Sequence, residues 1–184
     1  MVTGRRTQTP LSRERILDAA DVIARAEGVG ALSMRRVAAA LDTGAMSLYN
    51  HVPNKDALLA GLAERVIAQV EVPTGAGSRE LAASWARSVR RTLVANRPLL
   101  PVVLARTQRN HLAQLGKVLV EALVGGGTSL ADAMDVAAVL GRYVAGTLMF
   151  DGATRADGTH ESRSAELDRI FERGIDALLA GLLP

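Results

Sequence analysis

Apolar residues recur along this chain at spacings of three and four, the period of amphipathic helices. Ser12 stands before a run with Ile16, Leu17, Ala20, Ile23 and Ala24 on one stripe, and Gly28 and Gly30 follow it. A first helix with a serine cap and one buried face is predicted. Ser33 then precedes Met34, Val37, Ala38 and Leu41; Asp42-Thr43-Gly44 breaks the pattern, and Ala45, Leu48 and Tyr49 form a second brief run that Pro53 closes. Two short helices joined by a tight turn is the sequence form of a helix-turn-helix.

The second half repeats the pattern on a larger scale. A fourth helix starts near Asn54 and carries Leu58, Leu59, Leu62, Val66, Ile67 and Val70 until Pro73. The linker-like stretch from Val72 to Gly77 follows, with Ser78 expected to cap a fifth helix whose inward stripe is Leu81, Trp85, Val89, Leu93 and Val94. A short apolar helix from Leu99 to Ala105 and a seventh from Asn110 to Val124 come next, the latter stopped by Gly125-Gly126-Gly127. Ser129 and Asp132 have the spacing of a capping box for an eighth helix, Leu130 to Phe150, that is apolar nearly all round. A loop rich in Gly, Asp and Thr, expected to be mobile, then leads to a last helix from Ser164 to Leu183. Two helices with apolar surface to spare per chain invite a dimeric four-helix bundle, and Gly141, Ala145 and Gly146 would let backbones approach there.

The fold class predicted is therefore all-α: an N-terminal three-helix DNA-binding domain with a helix-turn-helix, followed by a larger helical domain suited to dimerisation. The boundaries read as a flexible basic arm over residues 1–11, the DNA-binding part with its connecting helix over 12–72, and the larger domain over 73–184. The arm, with Arg5 and Arg6, is either a loose terminus or an added grip on phosphate or the minor groove.

Composition narrows the class. The hydrophobic share is 48% over 184 residues, yet no apolar run approaches the roughly 20 residues that cross a bilayer. With no cysteine, disulfides and thiolate metal sites are excluded, and no apolar segment behind Met1 acts as a signal peptide. A cytoplasmic protein is expected. Net charge is only +3, so its distribution matters more: residues 1–55 hold eight basic and five acidic residues, 75–130 eight and two, and 131–184 five and nine. The acidic last third should not face DNA. The arginines of the middle third, Arg79, Arg87, Arg90, Arg91 and Arg97, read mainly as one solvated helix face.

The helix-turn-helix carries the candidate chemistry. Arg35 and Arg36 sit in a first helical turn, where the helix dipole disfavours cations, which points to an anionic partner. On the next helix Ser47 and Asn50 can hydrogen-bond base edges or phosphates, and Ala45 and Met46 can pack on thymine methyls. Phosphate attraction would come from the rim, through Arg35, Arg36, Tyr49, His51 and Lys55. Against this stands a plainer reading, in which Leu48 and Tyr49 are core and His51 a local cap.

The runs Arg13 to Ala20, Glu27-Gly28, Leu32 to Ala38, Leu48 to Val52 and Asn54 to Leu59 together resemble the N-terminal domain of the tetracycline-repressor (TetR) family, over residues 12 to 62. The resemblance implies that Arg35, Ala45, Met46, Ser47 and Asn50 read bases or flanking phosphates, while Tyr49, His51 and Lys55 grip the backbone. Asp42 departs from the pattern, standing at a turn position where the family usually has glycine. Leu119 to Asp151 also resembles the regulatory domain of the tetracycline repressor. The resemblance implies a homodimer on a palindromic operator, read as a repressor, with a small-molecule effector among helices five to eight that shifts helix four. Candidate effector residues are Trp85, Arg106, Gln108, His111, Met134, Tyr143 and Met149, each also open to a core or surface role.

No cofactor or metal is expected, His111 and His160 being too isolated to argue one. An enzyme would need groups this chain lacks: three histidines, no cysteine, no Gly-rich phosphate loop and no carboxylate pair beside a nucleophile leave little to catalyse with. A helical interaction protein without DNA binding is the other alternative.

Overall fold

The computed structural model describes residues 10–71, 77–105, 109–153 and 160–183. Among these the helices are α1 (Arg13–Glu27), α2 (Met34–Ala40), α3 (Ala45–Tyr49), α4 (Lys55–Ile67), α5 (Ser78–Ala95), α6 (Leu100–Val103), α7 (Arg109–Gly125), α8 (Leu130–Ala153) and α9 (His160–Leu182), with single 3-10 turns at Val29–Ala31 and Arg97–Leu99. The chain divides into two compact units, and the division falls inside α4, between Ala63 and Glu64.

In the first unit local chemistry sets the helix ends. Ser12 Oγ accepts from Arg15 N at 3.3 Å and Ser33 Oγ from Arg36 N at 3.1 Å, while Asn54 Oδ1 accepts from Ala57 N at 2.8 Å at the start of α4. Each satisfies a backbone donor that the helix leaves open, a contribution of about 1 kcal/mol. Gly28 ends α1 with φ +84. The turn after α2 is a Schellman motif: Thr43 N donates to Ala38 O and Asp42 N to Ala39 O. Asp42 occupies its left-handed position with φ +50, the conformation that the departure from glycine demanded. Ile16, Leu17 and Ile23 of α1 are buried with Val37 of α2, Leu48 of α3 and Leu58 and Leu62 of α4, so the short α3 is anchored by one residue.

The second unit is a bundle in which α5 packs on α7, α8 and α9, and α8 also packs on α7 and α9. Trp85, Leu93, Leu119, Leu140, Phe171 and Ile175 are among its buried side chains. Three sequence expectations change here. Ser78 is the first residue of α5 rather than its cap, and its hydroxyl pairs with Thr128 Oγ1 at 2.7 Å. The apolar segment near Leu99 is split into a turn and a four-residue helix, since Pro98 and Pro101 carry no backbone donor. Helices α8 and α9 reach further toward each other than expected, ending at Ala153 and starting at His160.

The arginines of α5 also differ from expectation. Arg87 Nε donates to Glu172 Oε2 at 2.8 Å, Arg90 to Asp168 Oδ1 at 2.9 Å, and Arg79 to the carbonyl of Leu183 at 2.7 Å. Arg90 is 8% exposed and its guanidinium lies 4.6 Å from the centroid of the Phe171 ring. The basic middle and acidic end of the chain thus neutralise one another along α5 and α9. The hydrogen bond that Arg87 donates to Glu172 holds it further toward its protonated form, against the opposing effect of burial.

Candidate functional site

Helix α3 has only five residues, and its orientation follows from which of them is buried. Leu48 is fully enclosed and Val52, one turn on, is 1% exposed. Turning that side inward turns Met46 and Asn50 outward, four residues apart on one row, beside the row of Ala45 and Tyr49. Met46 is 78% exposed and Tyr49 43%, so Leu48 is core and Tyr49 is not. A methionine held out in water at the start of a short helix has no role in packing this unit.

The polar candidates surround this surface. Asn50, His51, Lys55 and Arg35 are exposed, Ser47 and Ala45 half-buried. Arg35 and Lys55 form no ion pair among the described residues and stand exposed at the rim. Arg36 differs from them: its Nε donates to Glu27 Oε2 at 3.4 Å and its Nη2 to Glu27 Oε1, joining α2 to the end of α1. The argument that a cation in the first turn needs an external anion therefore holds for Arg35 alone; Arg36 has its anion within the domain. The basic arm with Arg5 and Arg6 lies outside the described residues.

The described effector candidates do not all share one site. Arg106 and Gln108 lie outside the described residues, as does the side chain of His111, whose backbone belongs to the first turn of α7. Met134 and Met149 are 56% and 69% exposed on α8. Fifteen residues separate them, about 22 Å of helix, too far for one small molecule to touch both. Tyr143 is already engaged: its hydroxyl donates to the carbonyls of Ile170 and Phe171 at 3.3 and 3.2 Å, and its ring stacks on Phe171 with centroids 5.5 Å apart. Trp85 is 2% exposed, and its Nε1–H has no hydrogen-bond partner among the described residues. Such a buried open donor costs roughly 1–3 kcal/mol.

Polar residues on α5 mark a further feature that the sequence reading passed over. Ser88 Oγ accepts from Glu71 N at 3.0 Å, Thr92 Oγ1 donates to Gln69 O at 3.5 Å, and Asn96 Nδ2 donates to Gln69 Oε1 and to Thr92 O, each at 2.9 Å. All three are buried and spaced four apart, so they form one row on α5 that clasps the segment just after α4. The signal was present in the sequence as three hydrogen-bonding side chains at helical spacing on a mostly apolar face. A cleft of about 700 Å³ opens where α5 and α8 begin, with Arg79, Glu80, Arg87, Asp132 and Asp176 in its walls. None of the effector candidates lines it. Among the described residues no cluster of three or more His, Cys, Asp or Glu could hold a metal ion, and no helix is long and apolar enough to cross a membrane.

A capped three-helix head with an exposed reading surface, continued by α4 into a separate helical bundle, defines a helix-turn-helix regulator. Similarity to known proteins makes this specific. The sequence model for bacterial regulatory proteins of the tetR family matches residues 16–62. An HTH-type transcriptional regulator of Saccharopolyspora erythraea is 30% identical over 192 residues, covering 97% of this chain and 78% of that protein. Among solved structures, ActR of Streptomyces coelicolor in complex with actinorhodin is 27% identical with a TM-score of 0.76, covering 95% of this chain and 96% of that one. BioQ with its double-stranded DNA operator is 26% identical with a TM-score of 0.70, covering 94% and 98%. Other curated relatives are longer, and this chain spans 37% and 61% of two of them. The chain belongs to the TetR family of bacterial regulatory proteins, and the curated relatives it matches are named as helix-turn-helix transcriptional regulators and repressors.

Proposed function

We propose that the protein is a cytoplasmic, ligand-responsive repressor that binds a palindromic operator as a homodimer and leaves it when a small molecule occupies the bundle. The observation that carries the reading is the exposed surface of α3. Met46 and Asn50 are turned to solvent by the burial of Leu48, with Tyr49, His51, Arg35 and Lys55 around them. Ala45, Met46, Ser47 and Asn50 supply base contacts and Tyr49, His51, Arg35 and Lys55 supply phosphate contacts, while Arg36 supports the reading head through Glu27. That BioQ is known with its operator and ActR with actinorhodin supports both halves of the reading.

Residues 12–72 act as the reading part with its connecting helix, residues 73–184 as the effector and dimer part, and the arm over 1–11 adds charge. Trp85 is the effector residue with the best support; Arg106, Gln108 and His111 remain candidates beside it. Tyr143 shapes the bundle by tying α8 to α9. Met134 and Met149, exposed on α8, serve the second subunit rather than the ligand, together with Ile170 of α9, which is 55% exposed.

A gel-shift against the DNA upstream of its own gene tests the reading. Tyr49→Phe and Lys55→Ala are expected to weaken binding, and Lys55→Ala to reduce the slope of log affinity against log salt by about 0.9, the value of one lost phosphate contact. Unchanged affinity and slope in both variants would sink the docking described.

A further inference from the structure

The buried polar groups of α5 are of two kinds. Ser88, Thr92 and Asn96 are satisfied by the segment after α4 and by the helix itself, whereas Trp85 Nε1–H is buried and open. At about 100° per residue all four fall within a sector of about 80° on α5, with Trp85 one turn before Ser88. The arginines lie elsewhere: Arg79, Arg87, Arg90 and Arg91 are about 120° to 240° away from Trp85, on the opposite side of the helix. Arg87 and Arg90 are moreover committed to Glu172 and Asp168.

We infer that Trp85 Nε1–H is the anchoring donor of the effector site, and that the effector class is an uncharged molecule presenting a carbonyl oxygen on an apolar frame. The inference rests on the effector-responsive reading given above and specifies its ligand. An indole N–H only donates, so its partner must be an acceptor. The acceptor has to enter a dry interior, where a carboxylate would need a cation, and among the described residues α5 offers none on this side. A ketone, quinone or amide oxygen meets the need without one. The frame that carries it lies against Leu81, Ala82 and Val89, which flank Trp85 on its own side of α5 and are buried and apolar. Because Ser88 is only about 4.5 Å further along the helix axis, an occupant at Trp85 lies next to the clasp on Gln69 and Glu71 and acts on the end of α4 directly.

The test uses the full chain with its one tryptophan labelled with nitrogen-15, which gives a single indole N–H resonance. The probes are 2-acetonaphthone, 2-ethylnaphthalene, which has nearly the same shape without the oxygen, and 2-naphthoate, which carries a charge. 2-Acetonaphthone is expected to move the resonance downfield in a saturable way and, by calorimetry, to bind about threefold to tenfold tighter than 2-ethylnaphthalene, the value of one neutral hydrogen bond. Trp85→Phe is expected to bind the two equally. An indole resonance that 2-acetonaphthone leaves in place, equal affinity of the native protein for ketone and hydrocarbon, or tighter binding of 2-naphthoate overturns the inference. A gel-shift without any probe reports separately on the regulator reading: loss of DNA recognition there would refute that reading and leave the indole result standing.

Discussion

Asp42 shows how one residue can hold a turn against its own preference. Its φ of +50 belongs to the region where a Cβ crowds the following carbonyl, at a cost of about 1–2 kcal/mol for most residues and less for Asp. Asp42→Val is therefore expected to lower unfolding free energy by about 1–2 kcal/mol in a denaturant titration, and Asp42→Gly to leave it unchanged or raise it. Gly174 is constrained from outside: a Cβ there would lie 1.9 Å from Tyr143 Oη. Gly174→Ala pushes the phenol off both carbonyls and off Phe171, and a loss of about 1–3 kcal/mol is expected. Gly116→Ala, a helical position with open space around it, should gain roughly 0.5–1 kcal/mol in the same assay.

At the scale of elements, what could be read in advance was what acts within a few residues. The caps at Ser12, Ser33 and Ser129, the stops at Gly28 and Gly127 and the strained turn at Asp42 all depend on partners three to five positions away. Even there chemistry refined the reading, because Asp132 receives the hydroxyl of Ser129 at 2.7 Å instead of reaching back to a backbone donor. The face of α5 that joins α9 has the sequence pattern of a solvated one because its partners are remote, Arg90 and Asp168 being 78 residues apart and Arg79 and Leu183 104 apart. Period and composition are silent on such pairs. Pocket formers are illegible for a related reason: residue type alone offers Met134, Tyr143 and Met149, and only packing shows two of them facing outward and the third hydrogen-bonded to α9. The clasp yields an expectation of its own. Asn96→Ala removes two hydrogen bonds from a buried position, and should both lower stability by about 1–2 kcal/mol and weaken effector-driven release from DNA, measured as a higher effector concentration at half release.

Across the whole molecule, charge is arranged for solubility of the bundle and attraction at the head. Two of the eight basic residues of 75–130, Arg87 and Arg90, pair with acidic residues of the last third, and Arg91 and Lys117 pair with Glu71 and Glu121, which lowers the positive potential of the bundle. Arg87 and Glu172 remain about 43% and 42% exposed, and such a pair contributes under about 1 kcal/mol, so its effect is on the field more than on stability. The outward face of α8 and α9 is different in kind, with Met134, Met149 and Ile170 exposed around small residues. Met134→Glu combined with Ile170→Glu is expected to convert a dimer to monomers in sedimentation analysis; a dimer that survives both changes would place the subunit interface elsewhere.

The clasp after α4 has a consequence for how this regulator can vary. Two of its contacts reach main-chain atoms, the carbonyl of Gln69 and the amide of Glu71. A connector gripped by its backbone can change side chains without losing its hold. A library randomised at Ala68 and Glu71 should therefore retain many responsive members, whereas one randomised at Ser88 and Thr92 should retain few. Response could then be retuned from the connector while the receiving helix stays fixed.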